Sequence, residues 1–265
     1  MSKTLSYIKS ISDLENLVKN WEKKFFGPGL GYPFVWYRGQ GVDADPQPGI
    51  LRSKFLSCCD KDEVKISSKA QRLQNREKTI NIQFRRMSSS LVPADCSDVM
   101  LYFLAQHHGL PTRLLDWTTN PLSALYFAVS NDVEENGALY VLNPKDLGEL
   151  SYFQSQQVEA TVGSVFDGPS VTFAPKILPV MPDLVAGRIL NQNSCFTLHT
   201  PEVNLDGADE TTPCPICFAK LEKHIVPKEK KEELLITLRR LGVTGAMIYA
   251  DLDNVTKELR SAWKL

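Results

Sequence analysis

The stretch Gln106–Thr118, QHHGLPTRLLDWT, contains the densest group of reactive side chains in the sequence. Histidine, arginine, aspartate and threonine side chains all fall between His107 and Thr118. Gly109 stands directly after a helical pattern, where glycine commonly ends a helix, and Pro111 keeps the next piece of backbone irregular. Reactive groups on a loop between regular elements are typical of functional sites. The stretch therefore predicts an element boundary and a candidate site in the same place.

A purely structural role explains the same residues about equally well. Arg113 and Asp116 are three positions apart, which makes an ion pair between them plausible without any function. His107 and His108 could instead cap the preceding helix, because an imidazolium is favoured at a helix C-terminus. The spacing alone leaves both interpretations open.

Apolar spacing on either side of this stretch predicts the regular elements of the chain. The nearest are a helix over Val99–His107, a brief extended piece at Leu114–Leu115, a helix that begins at Asn120 with Pro121 in its first turn, and a strand over Gly137–Leu142. The others are helices over Ser12–Phe26, Asp62–Met87 and Pro227–Leu241, strands over Phe34–Tyr37 and Ala246–Tyr249, a strand–turn–strand unit over Gly187–His199, a loop-rich stretch over Asp146–Asp183, and a short C-terminal helix. We expect an α+β protein that forms a single compact domain with mixed sheets and packed helices. An N-terminal helix in residues 1–29 would precede one continuous core in residues 30–265.

Composition narrows the classes of protein to consider. The chain has 265 residues, 43% hydrophobic and 23% charged, which is ordinary for a globular protein. A formal net charge of −1 gives no support to a broad nucleic-acid footprint, although 30 Lys and Arg residues leave room for a local basic groove. No apolar run approaches the ~20 residues of a membrane span, and no signal peptide is apparent. Six cysteines in a chain of this length favour a reducing, cytoplasmic setting.

Arg38, in the run Tyr37-Arg38-Gly39-Gln40, is the second candidate for a binding residue. It follows an apolar strand pattern and precedes a glycine that would let a ligand approach. A guanidinium in such a position suits a phosphate or a carboxylate. Taken alone, an ordinary surface arginine is the commoner explanation.

Metal binding and several familiar enzyme classes receive little support. Cys214 and Cys217 have the spacing of a zinc half-site, but no well-spaced second pair is present, so we expect no metal. Phosphate-binding, dinucleotide-binding, nucleophile-elbow and zinc-protease motifs are missing from the sequence. The charged run Lys228–Glu233 indicates the solvated first turn of a helix.

Three parts of the sequence resemble the bacterial FRG domain, a family named for a Phe-Arg-Gly motif. They are Tyr37–Gln40, in which tyrosine replaces the phenylalanine, the stretch Gln106–Thr118, and Asn120–Ala128. The strand Gly137–Leu142 and the tail Leu241–Asp253 are also similar, so the resemblance spans about residues 30–260. Members of the family are often linked to phage defence and toxin–antitoxin loci, which implies a toxin-like effector with a possible antitoxin partner.

The layout also resembles the ADP-ribosyltransferase superfold, which implies NAD as a substrate. By that analogy Arg38 would hold the pyrophosphate or the nicotinamide ribose. The full set of cofactor-binding residues that the resemblance implies is Arg38, Gly39, Gln40, Arg113, Thr118, Asn120 and Tyr126. Gln192 is best placed for the glutamate that usually completes such a site. Because glutamine cannot act as a base, Asp116, His107 or His108 would have to supply the charge.

The chemistry that this implies is physically reasonable. Breaking the nicotinamide–ribose bond builds positive charge on the ribose, and a carboxylate in a partly dry pocket would stabilise it. Asp116 is the candidate for that role. His107 or His108 could take a proton from the incoming nucleophile, because imidazole titrates near neutral pH. Tyr37 and Trp117 could stack on nicotinamide or on a target base.

We therefore expect an NAD-dependent ADP-ribosyltransferase toxin that modifies RNA, DNA or protein in antiphage defence. One alternative is an NADase that simply depletes NAD. Another is a non-enzymatic module that binds nucleic acid or a partner protein, in which Arg38, Arg113 and His107 only grip phosphate.

Overall fold

The structure is a computed structural model that describes residues 6–26, 35–52, 69–147, 151–152, 156–166, 177–181, 193–199 and 221–263. The helices in this part of the chain are α1 (Ile11–Phe26), α2 (Lys69–Ser88), α3 (Asp98–His107), α4 (Pro121–Val129), α5 (Gln156–Gly163), α6 (Lys228–Arg240), α7 (Gly245–Tyr249) and α8 (Leu252–Trp263). The strands are β1 (Ser6–Tyr7), β2 (Trp36–Gln40), β3 (Leu114–Thr118), β4 (Gly137–Leu142), β5 (Ser151–Tyr152), β6 (Ile177–Met181), β7 (Ser194–His199) and β8 (Glu222–Val226).

These strands form one mixed sheet in the order β1-β8-β4-β2-β3-β7-β6-β5. The central neighbours are antiparallel, whereas β1 pairs with β8 and β5 with β6 in parallel. The mixed α and β character that the sequence predicts is confirmed, with a single sheet in the described residues instead of several. No helix among these residues is both long and apolar enough to cross a membrane.

Two groups of helices pack on the same face of the sheet. The first group, α1, α4 and α6, buries Trp21, Leu125 and Leu234 against β2 and β4. The second, α3 and α5, buries Phe103 and Val162 against β3, β6 and β7. In an antiparallel pair, directly opposed residues project to the same face of the sheet. The opposed pairs across β4, β2, β3 and β7 connect the residues that contact the first helical group to those that contact the second, so both groups lie on the same face. The boundary between the two groups therefore lies over β2 and β3.

Several predicted elements are confirmed, among them the helices at α1, α3, α4, α6 and α8 and the strand at β4. The predicted N-terminal helix is not a separate unit. Leu14 and Leu17 of α1 are buried in the main core, which is the apolar cluster between the first helical group and the sheet. The predicted start of the second helix at Asp62 lies outside the described residues.

Other predictions are wrong in type or extent. The strand predicted over Ala246–Tyr249 is helix α7, whose N-cap Thr244 accepts a hydrogen bond from the backbone N–H of Met247 at 3.2 Å. A four-residue apolar run does not by itself distinguish a short helix from a strand. The stretch predicted to be loop-rich contains β5, α5 and β6. β2 begins two residues after the predicted start and extends through Gln40, so Arg38 lies inside the strand.

The run predicted to be a solvated helix turn contains a buried lysine. Lys231 is 1% exposed, and its Nζ donates to the carbonyl oxygens of Gly41, Asn131 and Asp132 at 2.7, 3.0 and 2.8 Å. Burial lowers the pKa of Lys231, and the nearby carboxylate of Asp132 opposes that effect. The lysine thereby joins the loops that follow β2 and α4.

Candidate functional site

A cleft of about 320 Å³ lies where the two helical groups meet over the sheet. Here β2 and β3 pair through Tyr37 and Thr118, whereas β2 with β4 and β3 with β7 pair along five positions each. The cleft is lined by residues 37–39 of β2, residues 116–118 of β3, Gln106 and His107 of α3, and residues of α4, β7 and α7. Its volume lies within the range typical of small-molecule sites.

Arg38 and Asp116 meet in this cleft, as the interpretation of a site requires. The Nη1 of Arg38 donates to the backbone carbonyl oxygen of Asp116 at 2.8 Å and so links β2 to β3. The Asp116 side chain is exposed in the middle of an otherwise buried strand. Its Oδ2 accepts a hydrogen bond from Nε2 of Gln106 at 3.0 Å. A cation and an anion thus both line the cleft, and the guanidinium of Arg38 is bonded to the backbone of Asp116.

The two histidines occupy different positions at the end of α3. His107 is half-buried and lines the cleft. His108 is the exposed C-cap residue of α3, and it does not line the cleft. Their rings form an edge-to-face pair with centroids 5.0 Å apart. His107 is therefore the better placed of the two to act on a bound molecule.

Aromatic side chains form much of the remaining wall. Phe127 of α4 and Tyr249 of α7 pack edge to face, with ring centroids 6.0 Å apart. Phe196 of β7 and Tyr37 of β2 also line the cleft. Burial, together with the negative charge of Glu22, raises the pKa of Tyr37 to about 12. Tyr37 therefore stays a neutral phenol throughout the physiological range.

The structure places Arg113 in the core and not on the cleft. Its side chain is 2% exposed, and Nη2 and Nε lie 2.5 and 2.7 Å from Oε2 of Glu77. The hydroxyl of Tyr102 donates to the other oxygen of Glu77 at 2.9 Å. The ion pair suggested between Arg113 and Asp116 is therefore replaced by one with Glu77, which precedes Arg113 by 36 positions and could not be identified from local spacing. The cofactor-binding role predicted for Arg113 is therefore not supported, because its guanidinium is buried away from the cleft.

Three further predicted residues hold the framework around the cleft. Asn120 caps α4, where its Oδ1 accepts from the backbone N–H groups of Leu122 and Ser123. The Gln40 amide donates to the carbonyl oxygens of Val42 and Ala44 in the loop after β2. Tyr126 is 9% exposed and belongs to the main core, where burial raises the pKa of its phenol.

Gly39 lines the cleft but also serves the packing of α4 on β2. A Cβ at this position would lie 1.7 Å from the carbonyl oxygen of Ala124. The space that the sequence assigned to an approaching ligand is therefore occupied by the backbone of α4. Thr118 lies in the cleft, and its Oγ1 accepts from the backbone N–H of Asn120 at 3.0 Å.

Some predicted residues lie outside the described part of the chain, namely Gln192, Cys214 and Cys217. Conversely, sequence reasoning included Gln106 in the candidate stretch without giving it a role, and it did not assign Phe127 or Tyr249 to the site, although both fall in segments that resemble the FRG domain. Trp117 was proposed to stack on a ligand, but its indole is 2% exposed and donates from Nε1 to Oγ1 of Thr197 at 3.1 Å. The half-buried rings of Phe127 and Tyr249 are better placed for that role.

Comparison with known proteins identifies one family. Residues 34–137 match the family model of the FRG domain. The matched segment runs from just before β2 to the first residue of β4, and it includes Arg38 and the whole stretch Gln106–Thr118. The curated proteins and the solved structures compared with the chain contain no match. Over residues 34–137 the chain is therefore similar to the FRG domain family.

Proposed function

We propose that the protein is an NAD-dependent ADP-ribosyltransferase whose reaction takes place in the cleft between β2 and β3. The observation that carries the proposal is the meeting of Arg38 and Asp116 at one opening, with the guanidinium bonded to the backbone of the aspartate. A dinucleotide that loses nicotinamide needs a cation for its pyrophosphate and an anion for its developing ribose charge. The resemblance to the ADP-ribosyltransferase superfold supports the same assignment by analogy.

The roles of the side chains follow from the charges that the reaction creates. The bond between C1′ of the ribose and the nicotinamide nitrogen breaks, and nicotinamide leaves with the bonding electron pair. Asp116 stabilises the positive charge left on the ribose, while Arg38 holds the pyrophosphate. The acceptor then forms a bond to C1′ and loses its proton to His107. Phe127 and Tyr249 give the nicotinamide ring an apolar surface to pack against.

The biological setting is part of the proposal and follows from the family resemblance. The modified molecule is a macromolecule of the cell, and the protein acts in antiphage defence in the cytoplasm. An antitoxin partner would then be needed to cover or inhibit the cleft before infection.

The test is incubation of the protein with NAD labelled in the adenylate, together with cellular RNA, DNA and protein. Transfer of label to a macromolecule is the expected result, and Arg38→Lys should weaken it because lysine cannot reproduce the forked geometry. Arg240→Ala, which removes an exposed arginine at the end of α6, serves as the control. Label released only as free ADP-ribose would replace the proposal with an NADase. Unchanged NAD together with retained nucleic-acid binding would reject both enzymes and favour a binding module.

A further inference from the structure

Asp116 is held by a series of hydrogen bonds within the stretch Gln106–Thr118, and the first donor of the series is the backbone N–H of Leu114. The N–H of Leu114 donates to Oγ1 of Thr112 at 3.1 Å, and Thr112 Oγ1 donates to Oε1 of Gln106 at 2.6 Å. Nε2 of Gln106 then donates to Oδ2 of Asp116 at 3.0 Å. Thr112 is 0% exposed, so the first part of this series is shielded from water.

The direction of these bonds is fixed by chemistry. A carboxylate can only accept, so the amide of Gln106 turns its NH₂ group towards Asp116. Gln106 therefore presents its carbonyl oxygen to Thr112 and its NH₂ group to Asp116. The reverse orientation would place the amide oxygen against the carboxylate. The Thr112 hydroxyl, which accepts from the N–H of Leu114, donates its own proton to the carbonyl oxygen of Gln106 and so supports this orientation.

We propose that Gln106 is a positioning residue that holds the Asp116 carboxylate in its reactive orientation, with Thr112 acting only through Gln106. This inference rests on the proposed function for its consequence in catalysis. A carboxylate oxygen already bonded to a fixed amide has one preferred side-chain conformation and needs no rearrangement as positive charge develops on the substrate. Gln106 reaches the reaction through Asp116, so it should affect the rate of the chemical step more than the binding of NAD.

The kinetic test compares kcat and KM for NAD cleavage in Gln106→Met, Thr112→Val and Thr112→Ser. Loss of a hydrogen bond to a charged group predicts a kcat lower by roughly ten- to a hundredfold in Gln106→Met, with KM within about twofold. Thr112→Val should also lower kcat. Thr112→Ser, which keeps the hydroxyl, should have a kcat close to that of the wild-type protein. Thr112→Val added to Gln106→Met should cause little further loss, because both changes break the same series of hydrogen bonds. The matched control is Gln83→Met, the same change at an exposed residue of α2.

A second readout does not depend on turnover. In nitrogen-15 NMR spectra the side-chain NH₂ hydrogens of Gln106 should exchange slowly with solvent. Asp116→Ala or Thr112→Val should shift the resonances of this group. The positioning role is overturned if neither variant shifts the Gln106 amide resonances, or if Gln106→Met keeps the kcat of the wild-type protein. If the wild-type protein cleaves no NAD while the NMR coupling is present, the proposed function fails and the positioning of Asp116 stands.

Discussion

Arg113, at the centre of the motif, acts on the fold through a fully buried ion pair with Glu77. The carboxylate also accepts from Tyr102, and the hydroxyl of that tyrosine accepts from the backbone N–H of Arg113 at 2.8 Å. Burial raises the pKa of Tyr102 well above its usual value, and the negative charge of Glu77 adds to this. The network ties α2 and α3 to the start of β3, and so fixes the strand that carries Asp116.

Glu77→Ala should therefore destabilise the protein by about 3–5 kcal/mol, because it leaves the Arg113 guanidinium buried without its partner. The measurement is the free energy of unfolding in urea. The control is Glu15→Ala, which breaks an exposed pair with Lys19 and should change that free energy by less than about 1 kcal/mol. Equal effects of the two substitutions would contradict the structural role of Glu77.

Arg113 and Asp116 show which properties of a residue the sequence can predict and which depend on contacts with distant parts of the chain. The stretch Gln106–Thr118 contains His107, at the end of α3, and Asp116 and Thr118, in β3, and all three line the cleft. The sequence could not separate those residues from Arg113, whose partner comes from a distant helix. The role of Gln106 was missed for a related reason, since it depends on a hydroxyl and a carboxylate that both lie beyond the turn that follows α3.

At the scale of elements, α4 packs closely across β2 and β4 and contributes to the wall of the cleft. Gly39 and Gly137 allow this approach, because a Cβ on either would lie 1.7 or 2.3 Å from a carbonyl oxygen of α4. The close contact brings Phe127 of α4 to the cleft wall. The two glycines therefore serve the site through the position of the helix.

Gly39→Ala should force α4 away from β2 and lower the stability by about 1–3 kcal/mol or more. Gly163→Ala is the control, since a Cβ there meets nothing within 4 Å. It should leave the protein as stable as before or slightly more so. Thermal unfolding followed by circular dichroism compares the two variants. A Gly39→Ala protein as stable as Gly163→Ala would show that the close approach is not a constraint.

Elements were predicted well where periodicity was long and poorly where it was short. The helix at α3 and the strand at β4 followed directly from apolar spacing and flanking turn residues. α7 was mistaken for a strand because its few residues carry no helical period of their own. β8 was not predicted, although it lies next to β4 in the sheet and pairs with it along five positions.

At the scale of the whole molecule, the sheet buries a histidine that makes stability depend on pH. His199 ends β7, is 1% exposed, and its backbone N–H donates to the carbonyl oxygen of Arg113 at 3.1 Å. Burial, and to a lesser extent the positive charge of Arg113, lowers the pKa of His199 to about 3. Burial likewise lowers the pKa of His224 to about 4, against an opposing effect of Glu222.

The free energy of unfolding should therefore fall as the pH falls below about 6.5. Below this pH the histidine binds a proton in the unfolded protein but stays neutral in the folded protein, which favours the unfolded state. Between pH 6.5 and 5 the loss from His199 should be on the order of 1–2 kcal/mol. Urea unfolding at pH 7.5 and pH 5 measures this difference. His199→Asn should reduce the difference, whatever its effect on stability at pH 7.5. An unchanged pH dependence in His199→Asn would contradict the buried, neutral histidine.

In the proposed reaction, Asp116 in the cleft supplies the charge for breaking the nicotinamide–ribose bond. The most direct measurement is the rate of nicotinamide release from saturating NAD by the wild-type protein, by Asp116→Asn and by Asp253→Asn. Asp253 is an exposed aspartate in the first turn of α8 and serves as the matched control. We predict release by the wild type and by Asp253→Asn, and a rate lower by roughly a hundredfold or more in a folded Asp116→Asn protein. Full nicotinamide release by Asp116→Asn would contradict the catalytic role proposed for Asp116.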